Sequence, residues 1–285
     1  MDRRAFLAGA TLGTLGTAVP ARAAMAHEGR GARLRLGPLR LKLGCQSGPA
    51  DDDHFAFFAR YGVRNICARA PVSENRLYST VEELLSVRKL AERHGLSLDM
   101  LDPVFLPSSH IDRERHPAIM LAESPERDRD IEQFQTLIRN CAAAGIKCIK
   151  YNMSLLGMMR SGEMPGRGDA VFSTWDVAQA RPATPLTRAG PVSEDAFWER
   201  ITYFLDRVVP VAAEYKVSLA CHPHDPGSPP EGYQGVHRVL GTYAGLQRFV
   251  TIRENPYHGL NFCQGTISEN LARPAEEIFD VIRWF

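Results

Sequence analysis

Between Val217 and Gly235 the chain reads VSLACHPHDPGSPPEGYQG, an apolar run that gives way to Cys221, His222, His224 and Asp225 among prolines and glycines. His222 directly follows the apolar stretch, so it stands where a strand opens into a loop. There an imidazole can serve as a metal ligand, as a general base, or as a hydrogen-bonded turn residue. Pro223 and Pro226 stiffen the segment and fix the directions of His222 and Asp225. Cys263 ends a second apolar run, LNFC, and a thiolate and an imidazole on neighbouring strand ends suit a divalent transition metal. Two ligands do not make a site; spacing alone leaves the metal and structural readings open.

Other residues carry weaker signals. Tyr151 and Asn152 close the run IKCIKYNM, where a phenol or an amide can hold a substrate hydroxyl or merely end a strand. Arg160 follows in the next loop and suits a carboxylate or phosphate by bidentate pairing, unless it is simply a solvated arginine. His224 is a second polar contact or a solvated loop histidine. Cys221, neighbour to His222, faces the opposite side of its strand and belongs in the core. Asp51-Asp52-Asp53 reads as a helix start, where acids suit the positive end of the dipole. The PGRGD stretch at 165–169 reads as a turn, since it lacks the strand and helix that flank a phosphate loop.

The elements that must position these residues alternate. Strands are expected at 39–46, 63–70, 96–106, 146–153, about 217–223 and 258–266. Helices are expected at 79–95 (Ser79 and Glu82 forming a capping box, Gly95 stopping it), from Ser124-Pro125 to Gly145, over 193–215 with a kink near Pro210, over TYAGLQRFVTI and over 274–285. Residues 157–192 form a long polar insertion. Strand–helix alternation predicts an α/β fold with a parallel sheet. Polar and sulfur residues recur at the strands' C-terminal ends, and no GxGxxG loop follows the first strand. Both favour a (β/α)8 TIM barrel over a doubly wound sheet. About six βα units are countable, and the chain is expected to be an incomplete copy lacking the last two.

The chain has 285 residues, 34 basic and 33 acidic. With no basic run, nucleic acid is not an expected partner. The first 23 residues pair Arg3-Arg4 with an uncharged stretch and a small-x-small end at Ala21-Arg22-Ala23. This reads as a twin-arginine signal to a periplasm-like compartment, followed by one catalytic domain over 24–285. No later segment is apolar enough for a bilayer span. Six cysteines in an exported chain invite disulfides, but five end or interrupt apolar runs, so buried free thiols are expected. Oligomeric state is left open.

Taken together, AGIKCIKYNM, LACHPHDPGSPP and HGLNFCQGT resemble the mannonate dehydratases, sugar-acid dehydratases of the xylose-isomerase-like barrel group. The resemblance is clear over roughly 140–270 and architectural before that. It implies that His222 and Cys263 are two ligands of a Mn²⁺ (or Fe²⁺) ion. It further implies that Tyr151, Asn152 and Arg160 belong to the sugar-acid pocket, and that Asp225 keeps the family's second aspartate while His224 replaces the first. Tyr151 and His224 are then the candidates for proton transfer. The tryptophan that precedes the family's arginine is missing before Arg160. The family's further ligands, a histidine in a His-x-Arg-Asn strand and a later aspartate, would fall after residue 285. The implied reaction takes D-mannonate to 2-keto-3-deoxygluconate in hexuronate catabolism. The rivals are a sugar isomerase or epimerase on the same barrel, disfavoured by few strand-end glutamates, and an inactive or sugar-acid-binding fragment.

Overall fold

A computed structural model describes residues 41–285 apart from 74–75, 181–184 and 230. The expected signal segment and the start of the first expected strand lie outside the described residues. The body Lys42–Phe285 runs β1 (Gly44–Pro49), α1 (Asp52–Arg60), β2 (Asn65–Arg69), α2 (Val81–Arg93), β3 (Ser97–Leu101), the short α3 (Ala118–Leu121) and α4 (Glu126–Ala143). It continues through β4 (Cys148–Asn152), β5 (Gly162–Pro165), β6 (Val171–Thr174), α5 (Glu194–Tyr215), β7 (Ser218–His222), α6 (Tyr243–Thr251), β8 (His258–Leu260), α7 (Gln264–Glu269) and α8 (Pro274–Trp284).

Six strands form one sheet in the order β1-β2-β3-β4-β7-β8, every pair parallel. Parallel neighbours need crossovers, and the helices supply them. Among the described residues β1 and β8 are the outer strands. The insertion expected as polar loop contains an antiparallel hairpin: β5 and β6 pair Gly162 with Thr174 and Pro165 with Val171. Residues 166–170 are its tip, so PGRGD is a hairpin turn.

Local sequence explains most helix ends. Asp51 caps α1 by accepting from His54 N at 2.9 Å. The capping box on α2 is real but lies one residue later than expected. Thr80 accepts from Glu83 N, and Glu83 Oε2 accepts from Thr80 N at 2.7 Å. Ser79 instead donates to Pro71 O. Pro125 precedes α4, and Ser193 caps α5, a 22-residue helix that carries Pro210 inside it.

Between sheet and helices the core is aromatic at its centre. Phe134 of α4 meets Phe204 of α5 at 5.2 Å, Tyr151 of β4 at 5.9 Å and Phe105 at 5.6 Å, ring edges to faces. Such pairs add specific geometry to apolar burial. All six cysteines are free thiols. Burial pushes Cys221 up to about 12, so it is an unreactive core group.

Candidate functional site

Register decides which side chains reach the C-terminal face. β4 and β7 pair Lys150 with Ala220, Tyr151 with Cys221 and Asn152 with His222. Since neighbours on a strand face opposite sides, Lys150, Asn152 and His222 share one face while Tyr151 and Cys221 share the other. Lys150, Asn152 and His222 line a pocket of about 210 Å³ together with Gln46, His224, Asp225 and Arg238. Tyr151 points into the helix layer against Phe134 and Phe204 and is wholly buried. Its hydroxyl lies beside the Cys221 thiol, and burial, followed by Cys221, holds it well above the usual phenol range. The expected catalytic role of Tyr151 is therefore not supported: it is a core side chain, closed off from the pocket by its own strand.

His222 is well placed. Its Nδ1 lies 2.7 Å from Pro223 O; a carbonyl only accepts, so Nδ1 carries the proton and neutral Nε2 keeps a lone pair. Burial, and secondarily the charge of Lys150, lower its pKa against the pull of Pro223 O and Asp225, which keeps the ring neutral near pH 7. His224 also lines the pocket but is only 2% exposed. Its Nε2–H donates to Met153 O at 2.7 Å, and its ring packs on Phe197. Burial and the nearby Arg238 depress its pKa to about 3. A ring that takes no proton at neutral pH and is tied to the backbone positions the loop; it is a poor proton shuttle, contrary to the expectation for His224.

Arg238, silent in the sequence reading, ties the pocket together. It is 6% exposed, and it donates to Pro226 O in the loop after β7 and, at 2.9 Å, to Gly157 O in the loop after β4. Gly157 has φ +63°, and a Cβ there would stand 2.8 Å from His110 N and Ser108 O, so this turn requires glycine. Asp225 pairs with Arg160 at 3.5 Å and also bears on Arg238, whose pKa burial brings down to about 9. Arg160 thus pairs with a pocket residue, Asp225, without itself lining the pocket. Glu269, at the end of α7, is held above the ordinary carboxyl range by burial and then by Asp225.

Lys150 is the second residue the sequence reading passed over. It is 6% exposed, with Nζ 3.6 Å from Asp102 Oδ1, while Arg69 holds Asp102 Oδ2 at 2.7 Å. The signal was present: strand alternation puts Lys150 on the face of Asn152.

Cys263 does not join His222 in the pocket. It is the N-terminal flanking residue of α7, three residues beyond β8. Among the described residues no group of three or more His, Cys, Asp or Glu is arranged to hold a metal ion. His222 has the tautomer a ligand needs, but these residues do not complete a coordination sphere for Mn²⁺. A larger groove, about 1010 Å³, runs along β8 and α8, lined by Leu260, Phe262, Trp284 and Phe285 among others. It flanks the outer strand β8 and shares no lining residue with the smaller pocket.

A parallel βα sheet with its polar groups gathered at the strand C-termini is the class this fold and pocket define: an α/β barrel-type protein with an open-mouthed site. The crystal structure of a mannonate dehydratase from Streptococcus suis superposes with a TM-score of 0.71, covering 86% of this chain and 70% of that one at 22% identity, which establishes a common fold. Within that class the sequence is similar to the mannonate dehydratases. The family described as D-mannonate dehydratase (UxuA) matches residues 171–285. Mannonate dehydratase 2 of Halalkalibacterium halodurans is 28% identical over 228 residues, 72% of this chain and 61% of the relative. The mannonate dehydratase of Thermotoga maritima is 29% identical over 238 residues, with the same two coverages. The chain therefore spans about three-fifths of the length of these curated relatives.

Proposed function

We propose that the protein is a hydro-lyase of mannonate dehydratase type, acting on D-mannonate or a related aldonic acid to give 2-keto-3-deoxygluconate. The observation that carries this reading is the convergence of a neutral imidazole, His222, with Lys150 and Asn152 on adjacent parallel strands and with Arg238 from the loop after β7, in a chain similar to enzymes of that name. Dehydration requires loss of the proton α to a carboxylate, a weak acid, and departure of the neighbouring hydroxyl. His222 Nε2 offers one lone pair, which takes that proton when no ion is bound to it and is not available as a base when it ligates one. The cationic groups oppose the negative charge that develops on the carboxylate. Asp225, held between Arg160 and Arg238, keeps the loop's polar groups in place.

A divalent ion, when bound, supplies further stabilisation of that charge. The described residues offer it His222 but no complete ligand set, so no step is derived through it. The Mn²⁺ expectation rests on His222 and the family resemblance. The same incomplete set favours a second reading, a sugar-acid-binding protein without turnover. Export by a twin-arginine signal is proposed on the composition of residues 1–23 alone.

Incubating the purified chain with D-mannonate and Mn²⁺, and assaying the 3-deoxy-2-keto acid, separates the two readings. The hydro-lyase reading expects product. Saturable D-mannonate binding with no product would instead establish the binding protein.

A further inference from the structure

Two ion groupings flank the pocket, and the first is one cation in excess, while the second is balanced by Glu269 beside Asp225 and Arg160. Arg69 and Lys150 bracket Asp102, and Arg160 and Arg238 bracket Asp225. Both histidines nearby have lowered pKa values and add no charge at neutral pH. Within the first grouping the contacts are unequal. Arg69 donates to Asp102 at 2.7 Å, whereas the Lys150 ammonium stands off at 3.6 Å, beyond hydrogen-bond length. A buried ammonium with its donors unspent is costly to the fold unless something accepts from it.

Two residues along the same face of β4, Asn152 is 4% exposed and its Nδ2 has no hydrogen-bond partner. Buried amide donors are normally satisfied, so an orphan facing a pocket points to an acceptor supplied from outside. Both groups line the pocket of about 210 Å³, a volume that suits a small hydroxy acid.

We propose that Lys150 and Asn152 form a carboxylate anchor, the Lys150 ammonium and the Asn152 amide N–H binding the two oxygens of one small organic carboxylate. A carboxylate supplies two acceptors and the single negative charge that the Lys150 grouping lacks. The anchor leaves the remainder of the ligand directed toward His222, the residue paired with Asn152 across β4 and β7. It deepens the sugar-acid reading and rests on that reading only for the ligand's identity, not for its charge.

Isothermal titration of the full chain at pH 7 tests this, with D-mannonate as the charged probe and D-mannitol as its uncharged counterpart. The wild type should favour D-mannonate, and Lys150→Met should weaken D-mannonate roughly 10- to 100-fold without changing the response to D-mannitol. Lys150→Arg, which keeps the charge, should retain most of the affinity. Equal D-mannonate affinity in wild type and Lys150→Met, or equal wild-type affinity for D-mannonate and D-mannitol, would overturn the anchor. Should Lys150→Met not fold, Asn152→Asp, which sets a like charge against the ligand, should show the same selective loss; undiminished binding there overturns it too. D-gluconate and D-glycerate separate the two levels of the claim. Binding of these acids, lost in Lys150→Met while D-mannonate is ignored, retains the anchor and removes the mannonate reading. Failure of every carboxylate to bind the wild type removes the anchor.

Discussion

His222 and Tyr151 differ in outcome because of parity. The alternation that turns Cys221 toward the helices turns its register partner Tyr151 the same way, and brings Lys150 round beside Asn152. His222, Asn152 and Asp225 were legible from chain position, since the end of an apolar strand is a fixed place in a βα unit. Arg238 was not legible: its role depends on two loops meeting, which local pattern does not encode. From parity, Tyr151→Phe should leave D-mannonate turnover within about twofold of wild type, because the hydroxyl faces Cys221 and not the ligand; steady-state kinetics decide it, and a large fall in kcat would return Tyr151 to the site. His224 yields a pH prediction. Its pKa falls from 6.5 unfolded to about 3 folded, so the unfolded chain binds the extra proton between those values. Stability is then fully present above about 6.5 and declines as pH falls toward 3, by about 1.4 kcal/mol per unit at most from this group. His222 and His258 are shifted in the same direction. Denaturant titrations at pH 7 and pH 5 should show the loss, and His224→Gln should flatten it.

At the scale of elements, order and type were readable because strand and helix periods differ and glycine stops are local. Boundaries were less so: the helix start at α2 moved from Ser79 to Thr80 because both residues can cap and only Thr80 is matched by Glu83. Thr80→Ala should therefore cost about 1 kcal/mol, read as a lowered denaturation midpoint, while Glu82→Gln should be near neutral. The β5–β6 hairpin escaped sequence reading because its four-residue strands are exposed at every position but Thr174, which erases the apolar alternation that marks a strand.

Across the whole molecule, the sheet order β1-β2-β3-β4-β7-β8 follows from sequential βα units laying each strand beside the last. The helix-facing side takes the aromatics; the strand ends collect charge. No helix among the described residues is long and apolar enough to cross a membrane. The larger groove along β8 and α8 has Glu254 and His258 as its ionisable lining, the latter tied to Phe249 O, whereas the smaller pocket gathers Lys150, His222, His224, Asp225 and Arg238, so chemistry is assigned to the latter. That assignment is tested most directly by the rate of 3-deoxy-2-keto acid formation from D-mannonate in wild type and in His222→Ala, with fold checked by circular dichroism. Product is expected from the wild type, with a fall of about 100-fold or more in the variant. A His222→Ala protein as active as wild type, or a folded wild type that binds D-mannonate and never dehydrates it, would contradict that assignment.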